Sequence, residues 1–319
     1  MGEVLGLALP YFGLILMGYV GGKIFKIPQE GLAWLNTFIV YFALPALIFS
    51  LVAQTPFEQL GNWPFILTTT FTTYTAFAIA FVIGFLATRG NLKESTIQGV
   101  AGSYSNIGYM GPPLTIAALG AEAAVPAALI FCFDNTMLFT IVPLLMAVAG
   151  GEKASALDLI LQAFKRILLH PFIVATIAGA IAAYFEWYPS GAALSILTSL
   201  SGAAAPCALF AMGIIFALRP VTRVPAELPF LLILKLIVHP ILVLVTLSFI
   251  GGFDPIWVFT AILMAALPPA TNVFVIAQQY DTYVQRASSV VILGTMASVV
   301  TLTAVLFLIK SGYVPTDLF

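Results

Sequence analysis

The sequence predicts an all-α polytopic membrane protein: ten transmembrane helices in two inverted five-helix repeats, with broken, crossing fourth and ninth helices. Three observations carry that expectation. The composition is too apolar for a water-facing surface, positive charge is confined to alternate loops, and a proline pattern recurs halfway along the chain. Of 319 residues, 61% are hydrophobic and only 8% are Asp, Glu, Lys or Arg. A soluble globular domain carries roughly 25% charged residues, so this chain lacks the charge to cover a hydrated surface. That excludes a cytosolic enzyme, a nucleic-acid binder and a disordered tail, and a net charge of −1 gives a polyelectrolyte nothing to hold. Cys132 and Cys207 both lie in apolar runs, so no disulfide framework is implied.

A hydrocarbon core of about 30 Å needs about 20 helical residues. Apolar runs between charged, Gly/Pro and Trp punctuation give ten spans, at 4–24, 32–54, 63–88, 95–119, 124–149, 166–187, 191–218, 228–250, 255–280 and 284–310. The first begins with Glu3 rather than a basic segment and has no small-residue cleavage pattern, so it reads as a span rather than a leader. Alternating strand patterning is absent, which argues against a barrel. Connections are short, the longest being a linker at 150–165. Lys23, Lys26, Arg89, Lys93, Lys153, Lys165, Arg166, Arg219, Arg223 and Arg286 fall on one side of this topology, and Lys310 alone falls on the other. Positive charge marks the cytoplasmic face, which places the linker inside and both termini outside a plasma or inner membrane. Trp63, Trp187 and Trp257 then sit at outer ends, where interfacial aromatics belong.

Shifting the chain by 161 residues superimposes Pro10 on Pro171, Pro28 on Pro189, Pro45 on Pro206 and Pro64 on Pro225. The same shift pairs Gly18 with Gly179, Gly90 with Gly251, and Ala43, Pro45 and Phe49 with Ala204, Pro206 and Phe210. The repeats are 1–149 and 166–319. Each holds five spans, an odd number, so the second enters from the opposite face. Within them NIGYMGPP (106–113) falls on LPPATNVF (267–274), in the middle of each fourth span. A Pro-Pro pair removes two backbone donors and clashes with the preceding turn, so a continuous helix cannot pass. Loose backbone at membrane depth is tolerated only where it lines a cavity or is buried in protein. Two crossing half-helices are expected, their N-terminal amides suited to an anionic ligand. Asn106 and Asn272 add amides that donate and accept. The plainer alternative is a pair of proline kinks mended by Ser and Thr side chains.

Through SNIGYMGPPL at 105–114, AAPCALFAMG at 204–213 and LPPATNVFVIAQQY at 267–280, the chain resembles the auxin efflux carrier family. That family shares a superfamily with bile acid/sodium symporters, and the resemblance covers essentially the whole chain. It implies a scaffold of helices 1, 2, 6 and 7, a transport domain of helices 3–5 and 8–10 that moves as an elevator, and a homodimer through the scaffold. It also implies substrate contacts at Asn106 and Pro113, with a counterpart near Asn272 and Val273. Plant members often have a proline where Val273 stands, so the ninth break here rests on Pro268 and Pro269. The long cytoplasmic loop of plant exporters is missing, and bacterial relatives resemble malate or malonate carriers. The expected substrate-binding set is Asn106, Tyr109, Gly111, Pro112, Pro113, Pro268, Pro269, Thr271, Asn272 and Val273.

Asp134 lies about ten residues into span five, about 15 Å deep by the helical rise. A carboxylate there costs about 2.5–3.5 kcal/mol on insertion scales, so it reads as a carrier of a proton or ligand of a cation, with Asn135 beside it, the alternative being a neutralised acid satisfied by helix contacts. Lys235 either snorkels outward along its stem or supplies positive charge to the site, paired with Asp134. His170 and His239 are expected to make ordinary hydrogen bonds. The threonines of 68–75 either line the path or bond back to their own helix. Gly18, Gly21 and Gly22 read as close-packing positions.

The expected function is a secondary active or facilitative transporter of a small organic anion. The anion is a carboxylate, either a malate- or malonate-like dicarboxylate or an auxin-like monocarboxylate. No cofactor is expected beyond coupled H⁺ or Na⁺, and the partners are the substrate, the bilayer and a second copy. The competing readings are an intramembrane enzyme and a passive channel or receptor. Aspartyl proteolysis needs two membrane aspartates and only Asp134 is deep, while G-x-S-x-G and H-E-x-x-H are both absent.

Overall fold

A computed structural model describes residues 2–25, 29–150, 168–218, 224 and 226–319. Residues 151–165 of the expected linker lie outside these, as do Lys26, Arg166, Arg219 and Arg223. The described residues are helical almost throughout, and their only β-type pairing is an isolated bridge.

The helices follow the expected spans closely. They are α1 (Gly2–Phe25), α2 (Gln29–Phe38), α3 (Leu44–Ala53), α4 (Phe57–Leu60), α5 (Trp63–Ala87), α6 (Leu92–Ser103), α7 (Gly111–Leu119) and α8 (Ala124–Gly150). Then come α9 (Pro171–Tyr184), α10 (Gly191–Leu218), α11 (Leu228–Ile233), α12 (His239–Ile250), α13 (Pro255–Ala266), α14 (Asn272–Gln279) and α15 (Val284–Lys310). Among the described residues, six helical stretches are long and apolar enough to cross a bilayer: Gly31–Ala53, Phe57–Ala87, Ala121–Gly150, Gly191–Leu218, Leu228–Ile250 and Val284–Lys310.

Proline chemistry explains the irregular turns. The stretches α2–α3 and α11–α12 are each joined by a π-helical turn, Ile39–Ala43 and Leu234–Val238. Each turn stops two residues before a proline, Pro45 or Pro240. Proline offers no N–H to the carbonyl four residues back and its ring presses on that carbonyl, so the preceding turn widens. Elsewhere the helix ends follow local side chains. Asn91 caps α6 by accepting from the Glu94 amide at 3.2 Å, and Asp254 caps α13 by accepting from Ile256 at 2.8 Å. After α5, Gly90 at φ 91° lets its amide return to the Phe85 carbonyl at 2.8 Å.

The chain divides into two compact units. The first comprises Met1–Trp63, Gly108–Cys132 and Leu168–Pro220, and so contains all described parts of spans one, two, six and seven, together with α7. Its centre is backbone against backbone. A Cβ on Gly18 would overlap the Phe210 carbonyl oxygen, and one on Gly213 would overlap that of Ile15, so α1 and α10 touch where neither has a side chain. Gly179 does the same for α9, where an added Cβ would stand 2.8 Å from Cβ of Val52. The expected packing role thus holds for Gly18 and for Gly22, whose Cβ would stand 2.7 Å from that of Ala217.

The second unit comprises Pro64–Ile107, Phe133–Ile167 and Val221–Phe319. In it α6 carries glycines against α5: a Cβ on Gly99 would lie 2.6 Å from the Phe77 ring, and one on Gly102 2.6 Å from Ala80. At one end of the unit Arg286 bridges Glu94 and Glu227, and the Tyr283 hydroxyl donates to Glu227. Burial, reinforced by that hydrogen bond and the Glu227 charge, pushes the Tyr283 hydroxyl far above its ordinary pKa, so it keeps its proton and remains a donor.

Candidate functional site

The double proline of span nine acts on two named carbonyls. Met264 and Ala265 would accept from the amides of residues 268 and 269, and both of those are proline. Accordingly α13 stops at Ala266, Leu267 turns extended (φ −61°, ψ 150°), and helix resumes at Asn272. In span four the pair sits on the other side of the gap. Helix α6 stops at Ser103, Tyr104 is extended (φ −79°, ψ 112°), and Pro112 and Pro113 fall in the first turn of α7. Amides in a first turn have no intrahelical partner, so proline starts a limb there at no cost. One pair ends a half-helix and the other begins one. It follows that two of the N-terminal amides expected to face an anion at α7 do not exist. At α14 the amides of Val273, Phe274 and Val275 fold back onto the Ala270 and Thr271 carbonyls.

The two gaps pair with each other. The Asn106 amide donates to the Pro268 carbonyl at 2.8 Å, the Ala270 amide donates to Tyr104 at 3.2 Å, and Ser105 and Pro269 form an antiparallel bridge. Backbone groups within each gap, the Asn106 and Ala270 amides and the Tyr104 and Pro268 carbonyls, are therefore satisfied by the other gap, as burial requires. Gly294 of α15 packs on this junction, where a Cβ would stand 2.8 Å from Cδ of Pro269. Asn106 (3% exposed), Pro268, Pro269, Thr271 and Val273 are buried, and Asn272 is half-buried.

Around the junction lies a buried polar cluster, all within the second unit. Asp134 is 4% exposed; its Oδ2 accepts from the Thr73 hydroxyl at 3.1 Å, and its Oδ1 is buried with no partner. Asn135 Oδ1 accepts from the Tyr104 hydroxyl at 2.6 Å, which ties α8 to the gap in span four. Lys235 is fully buried rather than snorkelling: its ammonium donates to the Ala265 carbonyl and lies 3.3 Å from His239 Nδ1. Asp134 and Lys235 do not form an ion pair. His239 Nε2 and the Thr271 hydroxyl are further buried atoms with no partner. Among the described residues no group of His, Cys, Asp or Glu could hold a metal ion.

Tyr109, Gly111, Pro112 and Pro113 belong to the first unit. There Gly108 and Pro112 line an apolar pocket with Leu44, Ile48, Leu51 and Phe131. In the threonine run, Thr68, Thr69 and Thr75 bond back to their own helix, whereas Thr73 reaches Asp134 and Thr72 reaches Thr246 at 2.7 Å. Sequence reasoning missed Ala265 and undervalued His239. The signal for Ala265 was present, because it stands four residues before Pro269.

Comparison with known proteins decides the family. Residues 4–306 match the model of a family described as membrane transport protein, the auxin efflux carrier family of the resemblance above. The chain belongs to this family. The transporter is 51% identical over 319 residues, covering all of both chains, to a protein of Rhizobium meliloti (strain 1021) named "Putative malonate transporter". It is also 27% identical over 294 residues to an uncharacterized transporter of Methanothermobacter thermautotrophicus, covering 91% of this chain and 93% of that one. It is thus a multi-pass membrane protein of a transporter family, and its relatives are transporters rather than enzymes.

Proposed function

We propose that this transporter moves a small dicarboxylate of the malonate type across the plasma or inner membrane by elevator-type alternating access. The observation that carries the reading is the paired junction of two interrupted helices with a buried ammonium beside it. A carrier needs polar groups at membrane depth, and broken helices supply them without exposing backbone to lipid. The end-to-end identity with a protein named for malonate favours a dicarboxylate over an auxin-like monocarboxylate.

In this reading the substrate contacts come from Asn106, Tyr109, Gly111, Pro112, Pro113, Pro268, Pro269, Thr271, Asn272 and Val273. The ten spans form two inverted repeats, with both termini outside the cytoplasm. Spans one, two, six and seven are the scaffold, through which two copies associate, and spans three to five and eight to ten carry the substrate. The first compact unit supports this, since it holds all four scaffold spans; it also takes residues 108–132, which the reading assigns to the moving part. Asp134, with Asn135 and Lys235, governs coupling. Moving one negative charge outward at −100 mV releases about 2.3 kcal/mol, so export of a dianion needs no co-ion, whereas uptake requires protons or cations.

The test is flux in liposomes containing the purified protein. Saturable uptake of radiolabelled malonate, competed by malate and not by indole-3-acetate, is the expected result. Flux of monocarboxylates alone would replace the substrate class, unsaturable flux would indicate a channel, and covalent conversion of the substrate an enzyme.

A further inference from the structure

The family resemblance raises Na⁺ as a coupling ion, and the residues of the second unit bear directly on whether it fits. A free cation at a broken helix is held by carbonyls that have lost their amide partners and by the negative end of the half-helix dipole. In span nine that place is the last turn of α13, where Pro269 leaves the Ala265 carbonyl without an amide donor. The carbonyl is nevertheless occupied. Lys235, carried on the π-helical turn Leu234–Val238, donates its ammonium to it, and the Ser105 hydroxyl approaches the same oxygen at 3.5 Å. The cluster's carboxylate, Asp134, accepts from Thr73 through Oδ2 and makes no ion pair with that ammonium. His239 turns Nδ1 toward Lys235, so it accepts from the ammonium and contributes no charge of its own. A Na⁺ on the Ala265 carbonyl would have to displace Nζ or sit against its like charge.

We propose that the Lys235 ammonium is a tethered counter-cation. It occupies the carbonyl end of the first limb of span nine, the position a free Na⁺ would need. This transporter therefore binds no Na⁺ at its helix crossover, and its substrate movement does not depend on Na⁺. The second half of that statement rests on the malonate reading; the first does not, and it is measured without substrate.

The experiment is thermal denaturation of the purified full-length protein in NaCl, KCl, LiCl and choline chloride at equal ionic strength. The wild type is expected to melt at the same temperature in all four salts. Lys235→Ala, which frees the Ala265 carbonyl of its ammonium, is expected to gain a Na⁺- or Li⁺-specific rise of roughly 2–4 °C. A Na⁺-specific rise in the wild type overturns the proposal, and so does a folded Lys235→Ala that ignores Na⁺. Should that variant not fold, binding of radioactive Na⁺ to the wild type decides alone: saturable binding overturns the proposal and its absence sustains it. Malonate flux into liposomes should be equal in sodium and choline media. A protein that moves no malonate at all would refute the proposed substrate while leaving the salt measurements to judge the cation site.

Discussion

The backbone amide of Asn106 donates to the carbonyl of Pro268 at 2.8 Å, joining the middles of two helices from opposite halves of the chain. The bond exists because each residue lies where its own helix has stopped. Asn106 follows the end of α6, and Pro268 follows the end of α13. Because the contact is made by main-chain atoms, it survives side-chain substitution at 106. Position and recognition are thus separable at this residue, which makes it a clean place to test the site.

Replacing Asn106 by alanine should abolish malonate binding while leaving the fold intact. The backbone amide at this position would still reach the Pro268 carbonyl, so membrane expression should be retained and the melting temperature should fall by no more than a few degrees. The malonate-induced thermal shift should disappear. An unchanged shift, or unchanged flux in liposomes, removes Asn106 from the site.

Pro268→Ala/Pro269→Ala restores amides to the Met264 and Ala265 carbonyls. Proline is about 3 kcal/mol less favourable than alanine in a helix interior, so the double change tilts span nine strongly toward a continuous helix. The extended segment that pairs with Tyr104 and Asn106 would then be drawn into a turn. Malonate flux should fall at least about tenfold, with expression retained. Wild-type flux from the double variant would show that the break is dispensable.

Close backbone contact in the first unit gives a stability prediction with an internal control. Gly18→Ala and Gly213→Ala each drive a methyl group into a facing backbone carbonyl, and overpacking of this kind costs about 1–3 kcal/mol. Gly202, on the same helix as Gly213, has nothing within 4 Å of an added Cβ. Gly202→Ala should therefore be neutral or slightly stabilising, because alanine favours helix by roughly 0.5–1 kcal/mol over glycine. Melting temperatures in detergent separate the two classes, and equal effects at all three positions would refute the packing account.

These glycines and prolines also show how much of the molecule is legible in the sequence. Helix limits follow from apolar run length and punctuation, and the observed helices keep to them, since bilayer thickness and proline chemistry act locally. The two gaps were readable for the same reason. What each Pro-Pro pair does was not read, because that depends on which side of the gap it occupies. Pro268 and Pro269 strip donors from Met264 and Ala265, whereas Pro112 and Pro113 strip them from a first turn that had none to lose. The side-chain partners were legible only as candidates. Asp134 and Lys235 stood out by charge at depth, but Thr73 and the Ala265 carbonyl become their partners only through packing, which residue spacing does not encode. The division at Ile107 and Gly108, inside one predicted span, has no signature in the composition at all.

Asp134→Asn tests the coupling role with little change of shape. Asparagine keeps an oxygen for the Thr73 hydroxyl, so the 3.1 Å bond can persist and the melting temperature should move by only a few degrees. What disappears is a negative charge that a proton could neutralise. If uptake requires Asp134 to be protonated, lowering the external pH fills that form and wild-type uptake accelerates. The asparagine is permanently neutral, so its uptake should no longer respond to pH. With the carboxylate gone, one negative charge fewer repels the dianion, which should strengthen its binding and slow its release. The expected pattern is a flat pH profile, a lower KM and a lower maximal rate, all read from initial rates of malonate uptake between pH 5 and 8. A variant that retains the slope of the wild type would move the proton site away from Asp134.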